Sequence, residues 1–219
     1  MRLEWDKDGE RLWETGVEQA ALYLLGEAGA YENGEAWNGL IGVTESPSGA
    51  EPTALWANDK KYGELLSTEE FGGSIEAYTY PDGFKACNGE VEIAPGVSIT
   101  QQARRTFGLV YKTLVGNDVV GAKYGYKLHL VYGAKAAVSE QSNQTISDSP
   151  EAKTMSWEFS TTPVAVKDHE PTSHLIINSK TVAAEKLAAL EAVLYGSEDA
   201  EPRLPLPDEV AELIGGAAA

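Results

Sequence analysis

The sequence predicts a mainly β protein, a sandwich or barrel, with a helix flanking its C-terminal part. Three observations carry that prediction. Apolar residues alternate at period two in several segments, the mark of strands with one buried face. Twenty-two glycines and ten prolines cut those segments apart as turns. A helical period enters only after about residue 178. At 219 residues and 42% hydrophobic, the chain suits one packed domain with a small appendage.

In chain order, Asp8-Gly9 between Leu3/Trp5 and Leu12/Trp13 predicts a hairpin, which Ala20–Leu25 extends as an apolar strand. Residues 26–50, rich in Gly, Asn, Ser and Glu, predict a long loop with one short strand at Trp37–Val43. Thr53–Ala57 and Tyr62–Leu66 flank Asn58-Asp59-Lys60 as a second hairpin, with a short helix as the competing reading. Gly73–Tyr80 alternates, Ile75, Ala77 and Thr79 against Glu76, Tyr78 and Tyr80, and Pro81-Asp82-Gly83 ends it. Phe84 to Gly89 reads as one helical turn.

Arg105–Leu114 reads as a strand with Phe107, Leu109 and Tyr111 on one face, closed by a turn at Gly116-Asn117-Asp118. Tyr124–Val138 gives the strongest strand signal, with Leu128, Leu130 and Tyr132 opposite Lys127, His129 and Val131. Thr154–Thr161 alternates Met155, Trp157 and Phe159 with polar residues, and Ser173–Ile177 is a last short strand. Ser179–Tyr195 then carries Ala183, Leu187, Leu190 and Leu194 at helical spacing, with Ser179 as the candidate cap and Gly196 as the stop. The main domain thus spans 1–196. Residues 197–219 form an acidic, proline-containing linker and a short helical arm over Asp208–Ile214, free to move or to dock on a neighbour.

Charge and cysteine content narrow the function classes. The net charge of −17 disfavours general binding to phosphate backbones and to anionic membranes. The single cysteine, Cys87, rules out a disulfide within the chain and points to synthesis in a reducing cytosol. The N-terminal residues lack an apolar signal region, and no apolar run approaches the roughly 20 residues of a membrane span. Basic residues concentrate at Arg104, Arg105, Lys112, Lys123, Lys127 and Lys135, whereas residues 1–50 are acidic. Such blocks either guide contacts between copies or are ordinary solvated surface.

Site motifs are scarce. Asp168-His169-Glu170 with His174 resembles a metal cluster, but its spacing matches no metal motif. Asp6-Lys7-Asp8-Gly9-Glu10 resembles a fragment of a calcium loop but lacks the length and the terminal Glu. His129 reads as a strand residue, and Cys87 as a small packing residue. The chain contains no phosphate loop, no Gly-x-Ser-x-Gly and no Cys-x-x-Cys. The expectation is therefore no catalytic residues, no cofactor, no metal, and a function carried by interfaces.

Four stretches resemble the major tail protein, or tail tube, family of siphophages infecting Gram-positive hosts. They are Pro52–Tyr62 around Leu55-Trp56-Ala57-Asn58-Asp59; Glu70–Phe84 running on to Cys87-Asn88-Gly89; Gln102–Asn117 with Phe107-Gly-Leu-Val-Tyr-Lys-Thr113; and Gly125–Tyr132, followed by Thr145–Ala152, Trp157–Pro163 and Lys167–Thr172. They lie in order within about residues 50–178, and Trp56-Ala-Asn-Asp departs from the family's more usual Tyr-Ala-Asp-Asn.

The resemblance implies a tail-tube β fold with a flanking helix, assembling as stacked hexameric rings into a hollow tube in the virion tail. Its partners would be further copies of itself and the tail-tip initiator, tape-measure and tail-terminator proteins, with no membrane. Double-stranded DNA would pass through without specific binding. Glu76 and Glu158, acidic residues on alternating strands, are candidates for lining the lumen. The other readings are a tail terminator or capsid decoration subunit, and a ligand-binding β-barrel or hydrolase with Phe107/Tyr111 and Trp157/Phe159 lining its pocket.

Overall fold

A computed structural model describes residues 2–146, 148 and 151–215. The chain is mainly β, with 50% of its residues in strands and 12% in helices. The strands of the first half are β1 (Leu12–Leu25), β2 (Tyr31–Ala36), β3 (Leu40–Glu45), β4 (Ser48–Gly49), β5 (Pro52–Ala57), β6 (Lys60–Leu66), β7 (Glu69–Glu70) and β8 (Gly72–Ala77). A helical turn, α1 (Phe84–Cys87), precedes β9 (Val91–Ala94), β10 (Val97–Ile99), β11 (Phe107–Asn117) and β12 (Gly121–Ala136). Then come β13 (Met155–Thr161), β14 (Val164–Val166), β15 (His169–Thr172), β16 (His174–Asn178), α2 (Ala184–Tyr195) and α3 (Pro207–Gly215).

The main sheet has eight antiparallel strands, with β2-β1-β11-β12-β13-β8-β3 as its path. β12 is long enough to serve two partners on one edge. Lys127–Val131 pair with β16, and Ala134–Ala136 pair with β13. Gly133 sits at the changeover, at φ +63 and within a register shift against β11, so the strand bends there. The bend curls the sheet over, and Trp37, between β2 and β3, donates its N–H back to the Ala20 carbonyl on β1 at 2.8 Å.

The middle strands are buried on both faces. Phe107, Leu109, Tyr111 and Val131 pack inward with Ile75, Trp157 and Phe159 of the curled half. Val110, Leu128, Leu130 and Tyr132 pack outward under Leu187, Leu190 and Leu194 of α2. Tyr23 donates its hydroxyl to the Leu194 carbonyl, and Tyr132 donates to that of Pro205 at 2.8 Å. Each such hydrogen bond satisfies a group that would otherwise be costly to bury.

Several sequence expectations need correction. No hairpin forms over residues 3–13. The turn at Asp8-Gly9 is made, with Gly9 donating to Asp118, but β1 continues for 14 residues and pairs with β11. The segment 26–50, expected as a long loop with one short strand at Trp37–Val43, holds three strands: β3 corresponds to the expected one, and β2 and β4 are additional. Its Tyr31 and Trp37 are buried anchors, and its glycines permit turns and close approach; a Cβ on Gly34 would stand 2.6 Å from the Tyr23 ring. α2 starts at Ala184, not Ser179, because Asn178 first makes its own turn, accepting from the Lys180 N–H with its side chain. Ser179 instead accepts the Tyr126 N–H. Residues 197–215 dock on their own chain. Gly34 donates to the Pro202 carbonyl, Leu204 donates to that of Tyr31, and Leu204 and Val210 are buried.

Candidate functional site

β8 and β13 carry the two acidic candidates. Glu76 faces Ser156 across the pair and Glu158 faces Ser74, so both carboxylates stand on one side, two residues apart diagonally. Ile75, Ala77, Trp157 and Phe159 take the opposite, buried side. The exposed side presents Ser74, Glu76, Ser156, Glu158 and Ser160 and no aliphatic or aromatic group. The structure therefore brings Glu76 and Glu158 onto one polar, acidic face.

A second surface is apolar. The β5–β6 hairpin exposes Leu55, Trp56, Tyr62, Leu65 and Leu66, with Tyr62 80% exposed. The β9–β10 hairpin exposes Val91, Ile93, Val97 and Ile99. No residue of either hairpin joins either core. A lone two-stranded hairpin is marginally stable in water, so both ask for a further surface. The Val91–Ile99 hairpin went unread in the sequence, although Pro95-Gly96 between alternating Val91/Ile93 and Val97/Ile99 is a usable turn signal.

Sheet edges are also open. Among the described residues, no strand pairs with the outer edge of β3, with β1 over residues 12–18 on the side away from β11, or with β12 before Lys127 on the side away from β11. The edge of β2, by contrast, is covered by residues 202–204. Unpaired N–H and C=O rows are templates for pairing with another chain.

The basic block proves largely engaged within the chain. Lys127 pairs with Glu14, and Lys112 with Glu191 at 3.3 Å. Arg104 donates to the Ala136 and Ala137 carbonyls, and Arg105 to that of Leu25. These four side chains thus pin β11 and its flanks and are not held out as a free basic patch.

The proposed ligand-pocket lining is solid core. Phe84, Phe107, Tyr80 and Trp157 meet edge to face, with ring centroids 5.1–5.8 Å apart. Cys87 lies beneath them, and burial pushes its thiol up to about 12, so it is a poor thiolate nucleophile.

The histidines fall into an arrangement the sequence did not indicate. Asp168 and His169 sit at the exposed β14–β15 turn, away from any cluster of ligating atoms. His174 lies instead beside His129, diagonal to it across the β12–β16 pair. His129 Nδ1 is 3.1 Å from His174 Nε2, and Glu45 arrives from β3 with Oε1 3.3 Å from His129 Nδ1. Tyr111 stacks on His129 and donates its hydroxyl to Glu45 Oε1 at 2.6 Å, while Phe71 stacks on His174. Burial lowers the pKa of both imidazoles, His174 to about 4, against the opposing pull of Glu45. Positions 45, 129 and 174 share no motif spacing, so only the curl of the sheet reveals them.

No helix among the described residues is long and apolar enough to cross a membrane. Comparison with protein-family models and with curated proteins finds no match to this chain.

Proposed function

We propose that the protein is a virion structural subunit that polymerises into the hollow tail tube of a long-tailed phage. The observation that carries this reading is the unfinished surface. Two hairpins hold their apolar side chains outside both cores, and open strand edges stand on β1, β3 and β12. A second copy of the chain is the partner that covers apolar hairpins and continues strand ladders at once. The four stretches that resemble tail tube proteins add rings of six, stacking of rings, and DNA in passage. One of those stretches, Pro52–Tyr62, contains most of the β5–β6 hairpin. The acidic face with Glu76 and Glu158 suits a lumen wall, where negative charge keeps phosphate backbones from adhering. Function in this reading resides in interfaces and not in a catalytic centre.

Negative-stain electron microscopy of the concentrated, purified chain is the test. Hollow tubes or six-fold rings are the expected result. Monomers that stay dispersed, and that also fail to polymerise on purified tail-tip complexes, would end the proposal.

A further inference from the structure

Glu45, His129 and His174 form a cluster to which the proposed function assigns no role. Their facing atoms stand 3.1 Å (His129 Nδ1 to His174 Nε2) and 3.3 Å (His129 Nδ1 to Glu45 Oε1) apart. A four-coordinate zinc ion, with bonds of about 2.0–2.1 Å, separates neighbouring ligand atoms by roughly 3.3 Å. All three ligand atoms lie within 4.8 Å of one another. Two of the three spacings are thus those of a coordination shell, and the third pair, His174 Nδ1 and Glu45 Oε2, stands 3.9 Å apart. The members come from β3, β12 and β16.

The surroundings fix the same assignment. Thr113 Oγ1 lies 3.0 Å from His129 Nε2, so that nitrogen can donate to the hydroxyl and leave the Nδ1 lone pair facing the group. Tyr111 holds Glu45 by its hydroxyl, and the Tyr111 and Phe71 rings set the planes of the two imidazoles. Both histidines are largely buried, whereas the Glu45 side chain is 37% exposed. The group therefore opens to solvent on the carboxylate side, which gives an ion its route in and a water its place.

We propose that Glu45, His129 and His174 bind one divalent transition-metal ion of the zinc class. Two imidazole nitrogens select such an ion over magnesium or calcium, which take oxygen ligands. The ion ties β3, the last strand of the sheet path, to β12 and β16, and so clamps the curled sheet across its open end. This inference is independent of the tail-tube reading and holds or fails separately from it.

The full chain, stripped with EDTA, is titrated with Zn²⁺ by calorimetry and with Co²⁺ by visible absorption. The expected result is one ion per chain and the d–d band of four-coordinate Co²⁺. At free Zn²⁺ about ten times the Kd, the thermal midpoint rises by roughly 3–5 °C. Mg²⁺ and Ca²⁺ leave the midpoint unmoved. Glu45→Gln retains an acceptor for Tyr111 and loses about tenfold or more in affinity, as does His174→Gln. Glu45 lies at the rim, so its variant decides the matter if His174→Gln fails to fold. Failure to bind Zn²⁺ stoichiometrically overturns the proposal. So does binding that survives both substitutions, which would place the ion elsewhere on the acidic surface.

Discussion

Single residues set the shape of this sheet where neighbouring strands compete for one edge. Gly133 adopts φ +63, and a Cβ there would stand 2.1 Å from the Thr162 carbonyl oxygen. Its N–H donates to the Tyr31 hydroxyl, and its carbonyl accepts from Thr162. Backbone conformation and space both demand glycine, so Gly133→Ala should destabilise by about 2–4 kcal/mol. Gly29 provides the contrast. It also has a positive φ, but nothing lies within 4 Å of its would-be Cβ. Gly29→Ala should therefore cost only about 1 kcal/mol, the conformational part alone. Urea unfolding of both variants, at an unchanged slope, measures the difference. Equal losses would mean that the close approach at Thr162 is not what requires glycine.

Elements were legible in the sequence to the degree that one periodicity dominated them. The sequence places β8, β11, β12 and β13 close to their observed limits. β8 and β13 each bury one alternating face in the inner core. β11 and β12, buried on both faces, still carry the alternating triplets Phe107/Leu109/Tyr111 inward and Leu128/Leu130/Tyr132 toward α2. β3 is anticipated by the short strand expected at Trp37–Val43, shifted by a few residues, whereas β2 is hidden in the loop composition because its glycine and polar residues outnumber its one buried anchor, Tyr31. The first hairpin was misassigned because a local turn does not reveal that β11, more than 80 residues later, supplies the partner. The acidic face was half legible. Parity alone placed Glu76 and Glu158 outward, but their adjacency needed the β8–β13 register. The histidine–carboxylate group was not legible at all, since three separate strands supply it.

The detached hairpins give a prediction at this scale. Trp56 and Leu66 are each at least 70% exposed and touch neither core. The Trp56→Ser/Leu66→Ser double variant should leave monomer stability within about 0.5 kcal/mol in urea. It should nevertheless abolish tubes under conditions in which the unaltered chain forms them. Tubes that still form would remove the β5–β6 hairpin from the assembly interface.

At the scale of the whole molecule, charge and the proposed function meet. The chain carries 34 acids against 17 lysines and arginines. Much of the basic block on and around β11 and β12 is spent on internal ion pairs and backbone carbonyls. The assembled particle would consequently present acidic surfaces, and the question is which of them faces the channel. Glu76 and Glu158 lie on a face free of apolar side chains, unlike the hairpins that must be covered. If that face lines the lumen, replacing both with lysine removes two negative and adds two positive charges per chain, a net change of +4, at exposed strand positions outside both cores. Glu76→Lys/Glu158→Lys tubes should keep their diameter yet retain double-stranded DNA in the channel, and release it as salt rises, because each neutralised phosphate sets free a condensed counterion. Cryo-electron microscopy of tubes incubated with short duplexes reads this as density along the axis at low salt that is absent from unaltered tubes. DNA bound only to the outside would place the Glu76/Glu158 face on the exterior, and the lumen would then have to be sought on another side of the subunit.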